Sequence, residues 1–143
     1  PSSIGGSLAL VIPWFALGFA LYAVAYAAAG ALASGQQDAN AAGTTVGYTL
    51  AAIYFLSYVT LMSSVDGLLA NVLTIFPLTA PFVVPARSVA TGVPLWEHAA
   101  AVALTLATIY GLVRLAGRIY AVGILRNGPR LDLRTALRLS RQG

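Results

Sequence analysis

The sequence predicts an all-α integral membrane protein with three transmembrane helices, and three observations carry that reading. Of the 143 residues, 59% are hydrophobic and only 8% are charged, with a mean hydropathy of +0.83. Soluble domains carry about a quarter charged residues. The charge is also segregated: all eight basic residues are arginine, and seven of them lie from Arg114 onward. Finally, three runs are long and apolar enough to cross a bilayer, which takes about 20 residues. The whole chain reads as a single membrane domain.

The first span covers 8–34. At 1.5 Å per residue it reaches roughly 40 Å, sufficient to cross with some tilt. Pro13 falls in its first turns. Ala16, Ala20, Ala23, Ala27 and Ala31 recur at spacings of three and four, a small-residue stripe along which a neighbouring helix can approach closely.

A polar break over 35–44, Gly35-Gln36-Gln37-Asp38-Ala39-Asn40-Ala41-Ala42-Gly43-Thr44, reads as a short cytoplasmic loop. Its brevity makes the next span, 45–65, antiparallel to the first. This second span is rich in hydroxyls: Tyr48, Thr49, Tyr54, Ser57, Tyr58, Thr60, Ser63 and Ser64. Hydrogen bonding between helices is the expected use, with bonding to the residues' own helix as the alternative.

The region 66–94 has a different character. Leu68 to Phe76 is apolar but too short to span, as in a re-entrant or interfacial helix. The stretch Phe76-Pro77-Leu78-Thr79-Ala80-Pro81-Phe82-Val83-Val84-Pro85-Ala86-Arg87 follows, with a proline at every fourth position. Each proline lacks a backbone N–H and clashes with the carbonyl four residues back, so Pro77, Pro81 and Pro85 are expected to prevent one regular helix. In hydrocarbon, freed carbonyls are tolerated only where protein or a water-filled cavity satisfies them. The stretch is therefore either an external gate or a connection lying over the bundle.

A last span covers 95–125. Between His98 and Arg114 lie fifteen uncharged residues; snorkelling arginines at one end and Glu97 among the headgroups at the other extend this to a full crossing. The tail, 126–143, is basic. Arg114, Arg118, Arg126, Arg130, Arg134, Arg138 and Arg141 mark the cytoplasmic side and anchor to lipid headgroups rather than to nucleic acid. The C-terminus is then cytoplasmic, 66–94 is external, and the chain begins outside.

Arg87 is the basic residue that stands apart. Placed externally it opposes the positive-inside tendency, so it needs a partner, and Asp66 and Glu97 are the nearby acids. His98 reads as an interface residue ahead of a proton relay. Catalysis has no visible basis: there is no Gly-x-Ser-Gly, no His-x-x-His and no phosphate-cradling glycine loop. With no cysteine, disulfides and thiol metal sites are excluded. No cofactor is expected on this chain. Beginning at Pro1 rather than methionine, it reads as a piece of a longer protein.

The order of these features carries a resemblance. Phe76-Pro77-Leu78-Thr79-Ala80-Pro81-Phe82-Val83-Val84-Pro85-Ala86-Arg87 is followed by Val93-Pro94-Leu95-Trp96-Glu97, then by Arg118-x-Tyr120-x-x-Gly123-x-Leu125. From about Leu8 to Arg134 the chain resembles the C-terminal half of an ABC-2 type exporter permease of the NatB-like sodium-export branch. The resemblance implies the last three of six spans, with an external re-entrant segment at 66–94. It also implies outward transport by alternating access. ATP would act through an ATP-binding-cassette ATPase subunit, alongside a second permease copy in a bacterial inner membrane. A non-transporting membrane scaffold is the alternative.

Overall fold

The computed structural model describes residues 4–127. Five helices account for nearly all of them: α1 (Ile4–Ala31), α2 (Gln36–Ser63), α3 (Leu68–Ile75), α4 (Ala80–Ala90) and α5 (Leu95–Asn127). No strand occurs among the described residues. Three helices are long and apolar enough to cross a membrane: Leu8–Ala31, Gln36–Ser63 and Leu95–Val122, with mean hydropathies of 2.1, 1.4 and 1.7.

The polar stretch 35–44 is not a loop. Gly35 caps α2 in an extended conformation and the helix starts at Gln36, leaving only Leu32 to Gly35 as the connection. Two physical facts override the polarity. Gln36, Gln37, Ala39, Ala41 and Ala42 have good helix propensity, and Asp38 in the first turn complements the helix N-terminus. The Ser34 hydroxyl donates to the Asp38 carboxylate and steadies that turn.

The hydroxyls of α2 do not join helices as expected. Thr49, Ser57 and Ser63 each donate to the carbonyl four residues back, at 2.9, 2.8 and 2.8 Å. A local carbonyl is always within reach and requires no neighbour to be ordered, so back-bonding wins.

The chain next forms a hairpin of two short helices. α3 has eight residues, about 12 Å, too short to span. It stops because Pro77 disfavours helical backbone at Phe76, which is extended at φ −65°, ψ 123°. The break falls at Pro77 alone. Pro81 and Pro85 both lie inside α4, contrary to the expectation that the prolines exclude regular helix. Pro81 occupies the first turn, where its N–H has no intrahelical partner to lose. The N–H missing from Pro85 would have faced the Pro81 carbonyl, so the spacing of four confines the loss to one stripe. α4 ends where the Thr91 and Gly92 N–H groups both reach the Arg87 carbonyl at 3.0 Å. Gly92, at φ +85°, adopts the left-handed conformation that glycine favours.

α1 is the central post, packing against α2, α4 and α5. Its buried stripe is Trp14, Gly18, Leu21 and Ala28. The alanine stripe is not the packing face: Ala16, Ala23 and Ala27 are exposed, and Ala20 and Ala31 are half-buried. Size does not select the inward face, since Phe15 and Phe19 stay exposed while Gly18 and Ala28 are buried; in hydrocarbon a large apolar side chain loses little by facing outward. A small core forms from Trp14, Ala80, Val84 and Ala101, with Leu17 and Val102 against it. α4 comes so close to α1 that a Cβ on Gly18 would lie 2.8 Å from the Pro81 Cβ.

Candidate functional site

The hairpin base holds the buried charges. Arg87 and Glu97 are 3% and 5% exposed, and no other charged side chain between residues 5 and 122 is buried. Arg87 sits in the last turn of α4 and Glu97 in the first turn of α5, so the Gly92 turn swings the two together. The Arg87 Nη1 donates to Glu97 Oε2 at 3.0 Å and to Thr74 Oγ1 at 2.6 Å. The Thr74 hydroxyl donates onward to the Ala70 carbonyl at 2.7 Å, so α3 holds the arginine in place.

On its other edge, the Arg87 Nη2 faces Asp66 Oδ1 at 3.8 Å. Asp66 is largely exposed and accepts from the Thr91 hydroxyl at 3.2 Å, which closes the hairpin base. The Arg87 Nε is buried and makes no hydrogen bond. Beside this group, Ser88 Oγ lies 3.4 Å from His98 Nε2, and the His98 ring stacks on Trp14 with centroids 6.4 Å apart. α1, α4 and α5 therefore meet at one level.

The hairpin tip is held separately. The Tyr22 hydroxyl donates to the Leu78 carbonyl at 2.7 Å. Tyr22 lies eight residues beyond Trp14, about 12 Å further along α1. Phe82 stacks on Tyr22 with ring centroids 5.6 Å apart and makes a T-shaped contact with Tyr54 at 5.1 Å, so the tip is gripped between α1 and α2. An apolar groove of about 530 Å³ runs between α1 and α4, with Phe15, Phe19, Pro81, Phe82 and Pro85 among its walls.

The sequence-predicted residues thus separate into groups. Arg87, Asp66 and Glu97 are brought together, Pro81 and Pro85 line the groove, and Pro77 forms the turn at the tip. Arg114 and Arg118 are exposed on α5 and take no part; Arg114 instead lies over the Tyr110 ring at 5.6 Å. Arg126 falls in the last turn of α5, and Arg130, Arg134, Arg138 and Arg141 lie outside the described residues. Sequence reasoning missed Thr74, Tyr22 and Gly18. Thr74 carries no local signal, whereas Gly18 and Tyr22, a turn apart in an apolar run, could have been flagged as a close approach beside a buried hydroxyl.

The model of the family described as ABC-2 family transporter protein matches residues 2–118, a stretch that holds the whole hairpin, Arg87 and Glu97. The chain belongs to the ABC-2 family. No curated protein and no solved structure matches it. Membrane domains of ABC-2 transporters are permease components of ABC exporters and generally work in a bilayer with an ATP-binding partner. This ABC-2 chain is accordingly a multi-pass membrane protein of a transport system.

Proposed function

We propose that this chain supplies the last three spans of a six-span ABC-2 permease, and that the α3–α4 hairpin is its external gate. The observation that carries the reading is the buried Arg87–Glu97 pair at 3.0 Å, which ties the hairpin to the start of α5. A buried pair is a poor source of net stability but an effective latch, since separating its members leaves an uncompensated charge. With the arginine-rich end of α5 inside, the start of α5 and the hairpin base face outward. The hairpin then enters from outside as a re-entrant element. Its tip at Tyr22 lies past the midpoint of the Leu8–Ala31 span.

In this reading, ATP binding on a partner ATPase closes the cytoplasmic side of the bundle. The hairpin releases from α5 and the external side opens. A second permease copy completes the pathway in a bacterial inner membrane with the C-terminus cytoplasmic, and ATP is handled on the partner, with no cofactor on this chain. The exits and entries of the last span, Pro94-x-Trp96-Glu97 and Arg118-x-Tyr120, support a place near the NatB-like sodium-export branch.

The test is Arg87→Ala in the full permease with its ATPase. Export is expected to fall while the complex still assembles. Unchanged transport would remove Arg87 from the mechanism, and failure of the unsubstituted full-length protein to co-purify with a responsive ATPase would favour a scaffold instead.

A further inference from the structure

The geometry points to Asp66 as the exchange partner of Arg87, the carboxylate that receives the guanidinium when Glu97 releases it. This rests on the gate reading and assigns the two acids opposite parts in it.

The two carboxylates belong to different bodies. Glu97 is on α5 and meets Arg87 only across the hairpin boundary. Asp66 travels with the hairpin, because the Thr91 hydroxyl at the end of α4 donates to it at 3.2 Å, bridging the two ends of the 66–91 segment. Thr74, which holds Nη1 at 2.6 Å, also lies within the hairpin. Thr79 braces the tip internally by donating to the Leu73 and Phe76 carbonyls. A moving hairpin therefore keeps Asp66, Thr74 and Arg87 together and leaves Glu97 behind.

The arginine is half-used in this state. Nη1 serves Glu97 and Thr74, while Nε makes no hydrogen bond and Nη2 faces Asp66 at 3.8 Å, beyond hydrogen-bond length. Nε and Nη2 form one edge of the guanidinium, the edge that accepts a carboxylate through two parallel bonds. Asp66 already lies 3.8 Å from the Nη2 end of that edge and its side chain is 69% exposed, so it is free to close in. Without it, opening would leave Arg87 buried and unpaired, which is strongly unfavourable. With it, the charge is handed over, and both hairpin positions hold a paired arginine.

The experiment uses the full permease with its ATPase, freed of any cysteine outside this cysteine-free chain. Leu78→Cys at the hairpin tip is the reporter, and the readout is its rate of modification by a membrane-impermeant maleimide added outside. Glu97→Gln is expected to raise that rate about tenfold by loosening the latch. Asp66→Asn is expected to lower it, and to cancel most of the rise when combined with Glu97→Gln. Asp66→Glu, which keeps the carboxylate, should restore it and shows that the Asn variant has not merely misfolded. If Glu97→Gln leaves the rate unchanged, the gate reading and this assignment both fall. If Glu97→Gln raises the rate but Asp66→Asn does nothing in either background, or raises it as well, the gate stands and the exchange is overturned.

Discussion

Arg87 and Glu97 stand ten residues apart in sequence and form a 3.0 Å ion pair in which both side chains are buried. The Gly92 turn and Pro94 reverse the chain so that the end of α4 meets the start of α5. Removing either partner strands the other in a buried site. Arg87→Ala and Glu97→Ala are each expected to destabilise by about 3–5 kcal/mol. Replacing both with apolar residues of similar volume should lose far less than the sum, as read by thermal unfolding in detergent through a double-mutant cycle.

Thr74 predicts a graded series. Its hydroxyl accepts from Arg87 at 2.6 Å while donating to Ala70 at 2.7 Å. Thr74→Val keeps the shape and leaves Nη1 with Glu97 alone, at a loss of about 1.5–3 kcal/mol for a bond to a charged group. Thr74→Ser should recover most of it. A Val variant as stable as the wild type, with Ser the weaker of the two, would show that the methyl, not the hydroxyl, matters.

Gly18 and Gly30 form a matched pair on α1. A Cβ on Gly18 meets the Pro81 Cβ at 2.8 Å, whereas nothing lies within 4 Å of one on Gly30. Gly18→Ala should push α4 outward and cost about 1–3 kcal/mol by overpacking. Gly30→Ala should be neutral or gain about 1 kcal/mol from helix propensity. Parallel melting curves of the two variants check both signs.

Tyr22→Phe removes one hydroxyl and keeps the ring against Phe82 at 5.6 Å. The Leu78 carbonyl then loses its donor, for about 1 kcal/mol. Amide exchange should quicken at Leu78 to Ala80 and stay unchanged at Thr91 and Gly92, because tip and base are held by separate contacts. Uniform quickening would mean that the hairpin has no independent tip anchor.

Gly92→Ala tests the turn that presents Glu97. At φ +85° any Cβ is strained, by roughly 1–2 kcal/mol. The variant should show reduced thermal stability, and a wild-type melting temperature would place the turn in another conformation.

Much of this was legible beforehand, for stated physical reasons. Hydropathy reads directly as span existence because apolar length has one use in a bilayer. The need of Arg87 for an acid was also legible, since one charge in an apolar neighbourhood restricts its partners to what is near. Boundaries were less so. The stretch from Gln36 to Thr44 looked like a loop by polarity, yet helix propensity and first-turn electrostatics absorbed it into α2. The alanine stripe of α1 looked like a seam, yet the face of Trp14, Gly18, Leu21 and Ala28 is the one that packs inward.

By itself the sequence determined the class, the three spans, a proline break somewhere within 77–85 and the acids able to neutralise Arg87. These follow from local chemistry: apolar length, a missing N–H, a lone charge. The tertiary structure alone decided that Glu97 rather than Asp66 holds Nη1, that Thr74 and Tyr22 anchor the hairpin, and that Gly18 admits Pro81. Each of those depends on which helix faces meet and at what depth, and contacts between distant segments are set by packing of the whole bundle, which no local pattern encodes.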